Sequence, residues 1–314
     1  MSAHEASAPG AHVLARPPAA DLVWLGFALV AISASGPMIA ACTAPALAIA
    51  FWRCTLGSGA TWTFVLARTR SDLMSLTRRE WMLIVGAGLL LGAHFATWVP
   101  SLRFTSVAAS TALVASQPVW AALIARARGQ HIPRLAWFGI AIALVGVVVV
   151  TGVDASFDTR HLIGDLLALI GALFAAAYVS VGEVARRTVA LPTMTAVLYA
   201  AAAALLLVLC LVGRQDLGGW SWQDWLLIVG LTVGAQLLGH TVISKVLRTT
   251  SATVVSTAIL FEAPGATIIA AVALRQIPPL SLLPAMALML VGVVMVIRAG
   301  TPGPSDALVE SPPV

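Results

Sequence analysis

The sequence predicts an all-α membrane protein, with ten transmembrane helices arranged as two inverted five-helix repeats. Three observations predict it. The 314 residues are 60% hydrophobic and only 10% charged, with a mean hydropathy of +0.96, whereas an ordinary soluble domain is about 25% charged. The apolar residues fall into runs of about 20, the length of a helix that crosses lipid. The chain also repeats itself at an offset near 146. Such a composition excludes a plain soluble enzyme and excludes disorder, which needs low hydrophobicity and high charge. Three cysteines, Cys42, Cys54 and Cys210, lie in or at the edge of apolar segments without a CxxC motif. They read as buried structural thiols, not as a disulfide framework or a metal site.

A hydrocarbon core about 30 Å thick sets the ruler for the elements. Spans fall at about 22–41, 45–67, 81–100, 107–126, 134–152, 162–182, 192–212, 222–244, 252–273 and 280–298. They are too long for barrel strands and lack period-2 alternation, so helices are expected. The first span does not read as a cleavable signal peptide, because no cationic stretch precedes it and nine more spans follow. Residues 1–20 and 299–314 read as disordered tails. Residues 21–152 form the first repeat and 162–298 the second.

Positive charge sets the orientation. With the N-terminus in the cytoplasm, thirteen Lys and Arg residues fall in inner loops and four, Arg103, Arg160, Arg214 and Arg275, in outer ones. Both termini are therefore expected inside a cytoplasmic membrane. Trp81, Trp137, Trp220, Trp222 and Trp225 lie near span ends, where an aromatic belt belongs. The 17 arginines and the lone Lys245 are spread over loops and helix ends. They form no basic stripe of the kind nucleic acid requires, so no nucleic-acid partner is expected.

Ser110-Thr-Ala-Leu113 returns as Ser256-Thr-Ala-Ile259. Pro118 maps to Pro264, Gly146 to Gly292 and His94 to His240, all at offset 146. Earlier, Trp-x-Leu-Ile-Val-Gly at 81–86 matches 225–230 at offset 144, so a two-residue insertion lies near the third span. Five spans per unit is an odd number, so the second unit must enter the membrane upside down. Inverted repeats of this kind enclose a midplane site and rock around it in secondary transporters.

Several segments carry a family likeness: the arginine of Phe51-Trp52-Arg53, LLLGAHFATWVPSLRFTSVAASTALVASQPVWAALIA in the first half, and QLLGHTVISKVLRTTSATVVSTAILFEAPGATIIA in the second. The two halves resemble two EamA domains of the drug/metabolite transporter superfamily, over nearly the whole chain. The resemblance implies ten helices, small organic solutes or metabolites as cargo, and export. Where that family commonly carries a Glu after the Pro-bearing span, this chain has Gln130 and Gln276. The role of that carboxylate is absent here or moved.

Ionisable groups inside spans are costly, about 2.5–3.5 kcal/mol each on insertion scales, and are therefore candidates for function. Glu262 stands near mid-depth two residues before Pro264, and its repeat counterpart is Ser116. It can carry a proton or face a cationic solute; structurally, it can satisfy backbone groups freed by Pro264. Arg53, with Tyr199 as its counterpart, can contact an anionic solute or pair with Glu262. It can equally be tied to carbonyls or snorkel. His94 and His240 can relay protons, or each can pack neutral with one hydrogen bond to a neighbouring helix. Gln117 and Gln236 are expected near the cavity. Trp98, Trp120 and Tyr178 either line it or pack elsewhere. Ser110–Thr111 and Ser256–Thr257 permit close helix contact and can also bind cargo.

Gly36-Pro37, Pro118 and Pro264 are expected to break or bend their helices. Interrupted helices at equivalent places in both halves point to a binding site. Gly88-x-x-x-Gly92 and Gly230-x-x-x-Gly234 are expected to let backbones approach. No metal triad and no Walker loop is present, so no metal, cofactor or ATP drive is expected.

The expected function is a secondary transporter that exports a small organic solute (metabolite, amino-acid-like or drug-like) by alternating access. Its partners are the solute, the lipid bilayer and, if it is proton-coupled, protons. The alternative is an intramembrane enzyme acting on lipid or peptide. Against it, no GxSG occurs, Ser33, Ser35 and Ser180 have no evident His partner, and His131 and His161 are lone loop residues. No catalytic residue is assigned.

Overall fold

The computed structural model describes residues 17–105, 110, 113–151, 159–273 and 282–299. Among these residues the chain is helical, with no strand. In the first half run α1 (Ala19–Ser33), α2 (Ser35–Ala41), α3 (Ala46–Arg68), α4 (Arg70–Met74), α5 (Arg78–Phe104), α6 (Gln117–Ala127) and α7 (Arg134–Thr151). In the second run α8 (Thr159–Ala185), α9 (Leu191–Val212), α10 (Trp222–Leu231), a π-helix (Thr232–His240), α11 (Thr241–Val246), α12 (Ala252–Ile259), α13 (Glu262–Ala273) and α14 (Leu282–Arg298). The first helix begins at Ala19, so the expected disordered tail is overtaken by helix at its last two residues. Most of that tail, the whole of the C-terminal tail after Ala299, Thr111, Arg275 and Gln276 lie outside the described residues.

Five helical stretches are long and apolar enough to cross a membrane: Ala19–Ala41, Arg78–Phe104, Thr159–Ala185, Leu191–Val212 and Trp222–Val246. Shorter apolar helices cover Arg134–Val149, Ala252–Ala266 and Leu283–Arg298. Helix α3 has 23 residues but is diluted by Arg53 and by hydroxyl and glycine residues.

Local chemistry explains the ends and the breaks. At the start of α5, Thr77 Oγ1 accepts from the Glu80 N–H while the Glu80 carboxylate accepts from the Thr77 N–H, a reciprocal cap. The expected first span is two helices, because the chain turns at Ala34. Pro37 has no N–H to donate and its ring opposes the carbonyl four residues back. The same cause splits the ninth span at Leu260–Phe261 ahead of Pro264, and places turns at Ala115–Ser116 ahead of Pro118. Pro100, near the end of α5, leaves its helix unbroken.

The largest helix pairings run between the halves, not within them: α5 on α8, α7 on α14, α3 on α9, and α5 on α9. They recur with the halves exchanged, since α1 packs on the π-helix and α11 as α8 packs on α5. The halves therefore interlock and are not two separate five-helix bundles. Small residues make this close. A Cβ on Gly88 would collide with the Leu198 carbonyl and come within 2.7 Å of the Ala201 Cβ. Gly139 and Gly292 likewise face each other's backbone between α7 and α14. The outer surface is apolar, with Val23 74%, Met82 59% and Val212 78% exposed, as lipid contact requires.

Candidate functional site

Four departures from regular α-helix converge on one place. The break at Ala34 brings Ile32 and Ser35 to it, and the turn before Pro118 brings Val114 and Gln117. The break at Leu260–Phe261 brings Ile259 and Glu262, and the end of the π-helix brings His240. Together with His94 and Trp98 of α5 and Tyr178 of α8 they enclose a cavity of about 40 Å3. A second cavity of about 20 Å3 continues it past Gln117 and Glu262 toward Ser256 and Ala263. A water needs roughly 10–15 Å3 on this scale, so the space is of the size of a few waters. Aliphatic and aromatic side chains make up most of the wall, with polar groups at several points. That is the usual make-up of a small-molecule site.

Six of the residues singled out from sequence line this cavity: Glu262, His94, His240, Gln117, Trp98 and Tyr178. His94 Nδ1–H donates to the Gly171 carbonyl at 2.9 Å, which fixes its tautomer, and its ring stacks on Trp98 at 5.6 Å. Its repeat counterpart differs. His240 Nδ1 is buried without a partner, and its ring meets the edge of Phe95 at 5.4 Å. Gln117 Nε2 donates to Ser256 Oγ at 3.0 Å, which joins the two Pro-bearing segments across the halves. Trp98 Nε1 is also buried with no acceptor. Tyr178, one of three aromatics left open from sequence, lines the cavity and its hydroxyl is 3.2 Å from Ser244 Oγ. Trp120 is not among the lining residues.

Arg53, Gln236 and Tyr199 form a polar cluster behind that wall instead of lining it. Arg53 is fully buried. Its Nε donates to Gln236 Oε1 at 3.0 Å, and its guanidinium lies 4.2 Å from the centre of the Phe95 ring. The Tyr199 hydroxyl donates to the Gln236 carbonyl at 3.0 Å and is 2.9 Å from Thr241 Oγ1. The expected ion pair with Glu262 is absent, since the only salt bridge among the described residues joins Arg187 and Glu183. The guanidinium is held instead by a neutral amide at Nε and by an aromatic face. Both Arg53 Nη1 and Nη2 remain buried without partners. Arg53 is not among the residues that line the cavity.

Sequence reasoning missed the cavity role of Ser35 and Ile32, although Gly36-Pro37 beside them signalled the break. It also missed Phe95, an apolar residue whose part here depends wholly on what stands over its ring. No group of three or more His, Cys, Asp or Glu side chains among the described residues is placed to hold a metal ion.

A sequence profile described as the EamA-like transporter family matches the chain twice, over residues 21–152 and 162–298. The chain belongs to the EamA-like transporter family. This EamA-like protein also superimposes on a solved structure described as "Crystal structure of protein", with TM-score 0.75 and 18% identity. The match covers 93% of this chain and 99% of that one. At that identity the likeness speaks for the fold alone. No curated protein matches the sequence. The family membership makes the chain a multi-pass membrane protein of a transporter family, and its cavity draws side chains from both matched stretches.

Proposed function

We propose that this EamA-like protein is a secondary transporter that exports a small organic solute across the cytoplasmic membrane by alternating access. Ten spans form two inverted repeats in this reading, with both termini in the cytoplasm. The observation that carries it is the convergence of four helix irregularities, drawn from both halves, on one small polar-flanked cavity. Interrupted helices around a shared site are where a transporter binds cargo and rocks. The recurrence of helix pairings with the halves exchanged supports the inverted repeat.

The solute carries an apolar or aromatic body against Trp98, Tyr178, Val114 and Ile243, and a polar end among Gln117, His94, His240 and Glu262. Glu262 takes the coupling role. It is the one carboxylate on the cavity wall, and among the described residues it makes no salt bridge. The enzyme reading is disfavoured by the absence of an assembled nucleophile and base: neither Ser33 nor Ser180 bonds to a histidine, and Ser33 Oγ donates to the Leu29 carbonyl.

Solute flux in proteoliposomes, with and without a pH gradient, tests this. Wild-type protein is expected to accelerate flux under the gradient. Glu262→Gln is expected to bind solute and exchange it but lose the gradient response. Full gradient-driven flux by Glu262→Gln removes the carboxyl from coupling, and no flux for any member of a broad metabolite and drug panel removes transport itself.

A further inference from the structure

Away from the central cavity, a recess of about 580 Å3 lies at the ends of α8 and α11 and the start of α9. Arg186, Arg187, Lys245 and Arg248 line it, and one carboxylate, Asp21, stands among them. These charges are not balanced within the protein. Asp21 Oδ2 is engaged by the hydroxyls of Thr249 and Thr250, the latter at 3.1 Å. Arg187 is paired with Glu183 at 3.1 Å. Arg186 is buried, with Nε donating to the Ser244 carbonyl at 2.9 Å and Nη1 to the Val189 carbonyl, so neutral acceptors hold a full charge in place. Burial, with the nearby Arg248 guanidinium adding to it, pulls the Arg186 guanidinium below its usual range. Arg248 is exposed, and Lys245 rests its ammonium 3.4 Å from the centre of the Trp24 ring. Three cations thus line an open recess beside a single carboxylate, Asp21, which forms a salt bridge with none of them.

What adjoins the recess decides what fills it. Trp24 sits one turn after Asp21 on α1, and Phe27 packs against its edge at 6.5 Å. Val23, Phe27 and Val30 continue this surface along α1, all exposed. The recess is therefore basic at the level where helices end and opens beside a strip of exposed apolar side chains. A ligand that matches both has a phosphate and an acyl chain.

We propose that this recess binds the headgroup phosphate of an anionic phospholipid, with the guanidinium of Arg248 and the ammonium of Lys245 against the phosphate and an acyl chain along Val23, Phe27 and Val30. Basic pockets between membrane helices bind acidic headgroups by this chemistry. The site is separate from the transport cavity and does not depend on what that cavity carries.

The test uses the full chain in detergent. Native mass spectrometry and thermal unfolding are measured with phosphatidylglycerol, with phosphatidylcholine of the same acyl chains, and with inorganic phosphate. Phosphatidylglycerol is expected to be retained preferentially and to raise the unfolding midpoint most. Each basic side chain at an anionic lipid surface is worth about fivefold in affinity, so Lys245→Gln with Arg248→Gln is expected to erase most of the preference. Arg248→Glu alone, at an exposed position, is expected to reduce it without touching the fold. Equal retention of the two lipids, or an unchanged preference in both variants, overturns the proposal. Inorganic phosphate binding as tightly as phosphatidylglycerol would assign the recess to a soluble anion and overturn the lipid.

Discussion

Helix α5 and the segment Trp222–Val246 stand at the same place in the two repeats, yet they are built differently. Both start with a side-chain cap three residues apart, Thr77 with Glu80 and Ser221 with Asp224. Both place a histidine at the cavity, His94 and His240. Between cap and histidine the second copy is two residues longer, and there the α-helix gives way to the π-helix Thr232–His240. Two extra residues in a regular helix turn everything after them by about 200°. The wider π turn takes up part of that rotation, so His240 still faces the cavity. π segments of this kind occur often at functional sites. The same insertion brings Gln236 under Arg53, where the first copy has Leu90. Repetition supplies the scaffold, and the departure from it supplies the polar cluster.

The contrast can be broken at several points, in falling order of effect. Gly88→Ala places a methyl against the Leu198 carbonyl and is expected to cost about 3 kcal/mol, seen as a large drop in the unfolding midpoint in detergent. A midpoint equal to wild type would mean that α5 and α9 do not meet so closely. Gln236→Leu makes the second copy like the first and removes the hydrogen bond that Arg53 Nε makes. About 2 kcal/mol of stability should go with it. Restoration by Gln236→Glu, which offers Arg53 a carboxylate, would sharpen the assignment.

The two histidines should separate next. His94→Leu removes the bond to the Gly171 carbonyl and is expected to lower stability by about 1 kcal/mol. His240→Leu breaks no hydrogen bond and should leave the midpoint nearly unchanged while altering flux. Equal losses would remove the asymmetry. The caps should differ as well. Asp224 is buried and accepts from the Thr43 N–H at 2.7 Å, from Thr43 Oγ1 at 2.8 Å and from Ser221 Oγ, whereas Glu80 lies in an exposed cap with Thr77. Asp224→Ala is therefore expected to destabilise more than Glu80→Ala in the same unfolding assay. Smallest of all, Gly234→Ala, the counterpart of Gly88→Ala, meets only the Ala31 carbonyl at 3.8 Å and should shift stability by less than about 0.5 kcal/mol.

Much of this was legible in the order of residues. Apolar runs of helix length, the repeat at offset 146 and the prolines at 37, 118 and 264 marked the helices, the two halves and three of the four breaks. These depend on local backbone chemistry, since a proline interrupts its helix whatever surrounds it. A two-residue insertion was visible too, but not that a π-helix would absorb it, because that choice depends on keeping His240 and Gln236 in contact with other helices. Helix rotation was equally hidden: amphipathicity is weak in a chain that faces lipid outside and small apolar residues inside. So a pairing of Arg53 with Glu262 was one of several readings left open, and packing gave Arg53 Gln236 and Phe95 instead. The sequence alone determined which polar groups enter the apolar interior. Only the tertiary structure decided which face the cavity and which are held behind it, because that depends on contacts between residues some 180 positions apart, such as Arg53 and Gln236.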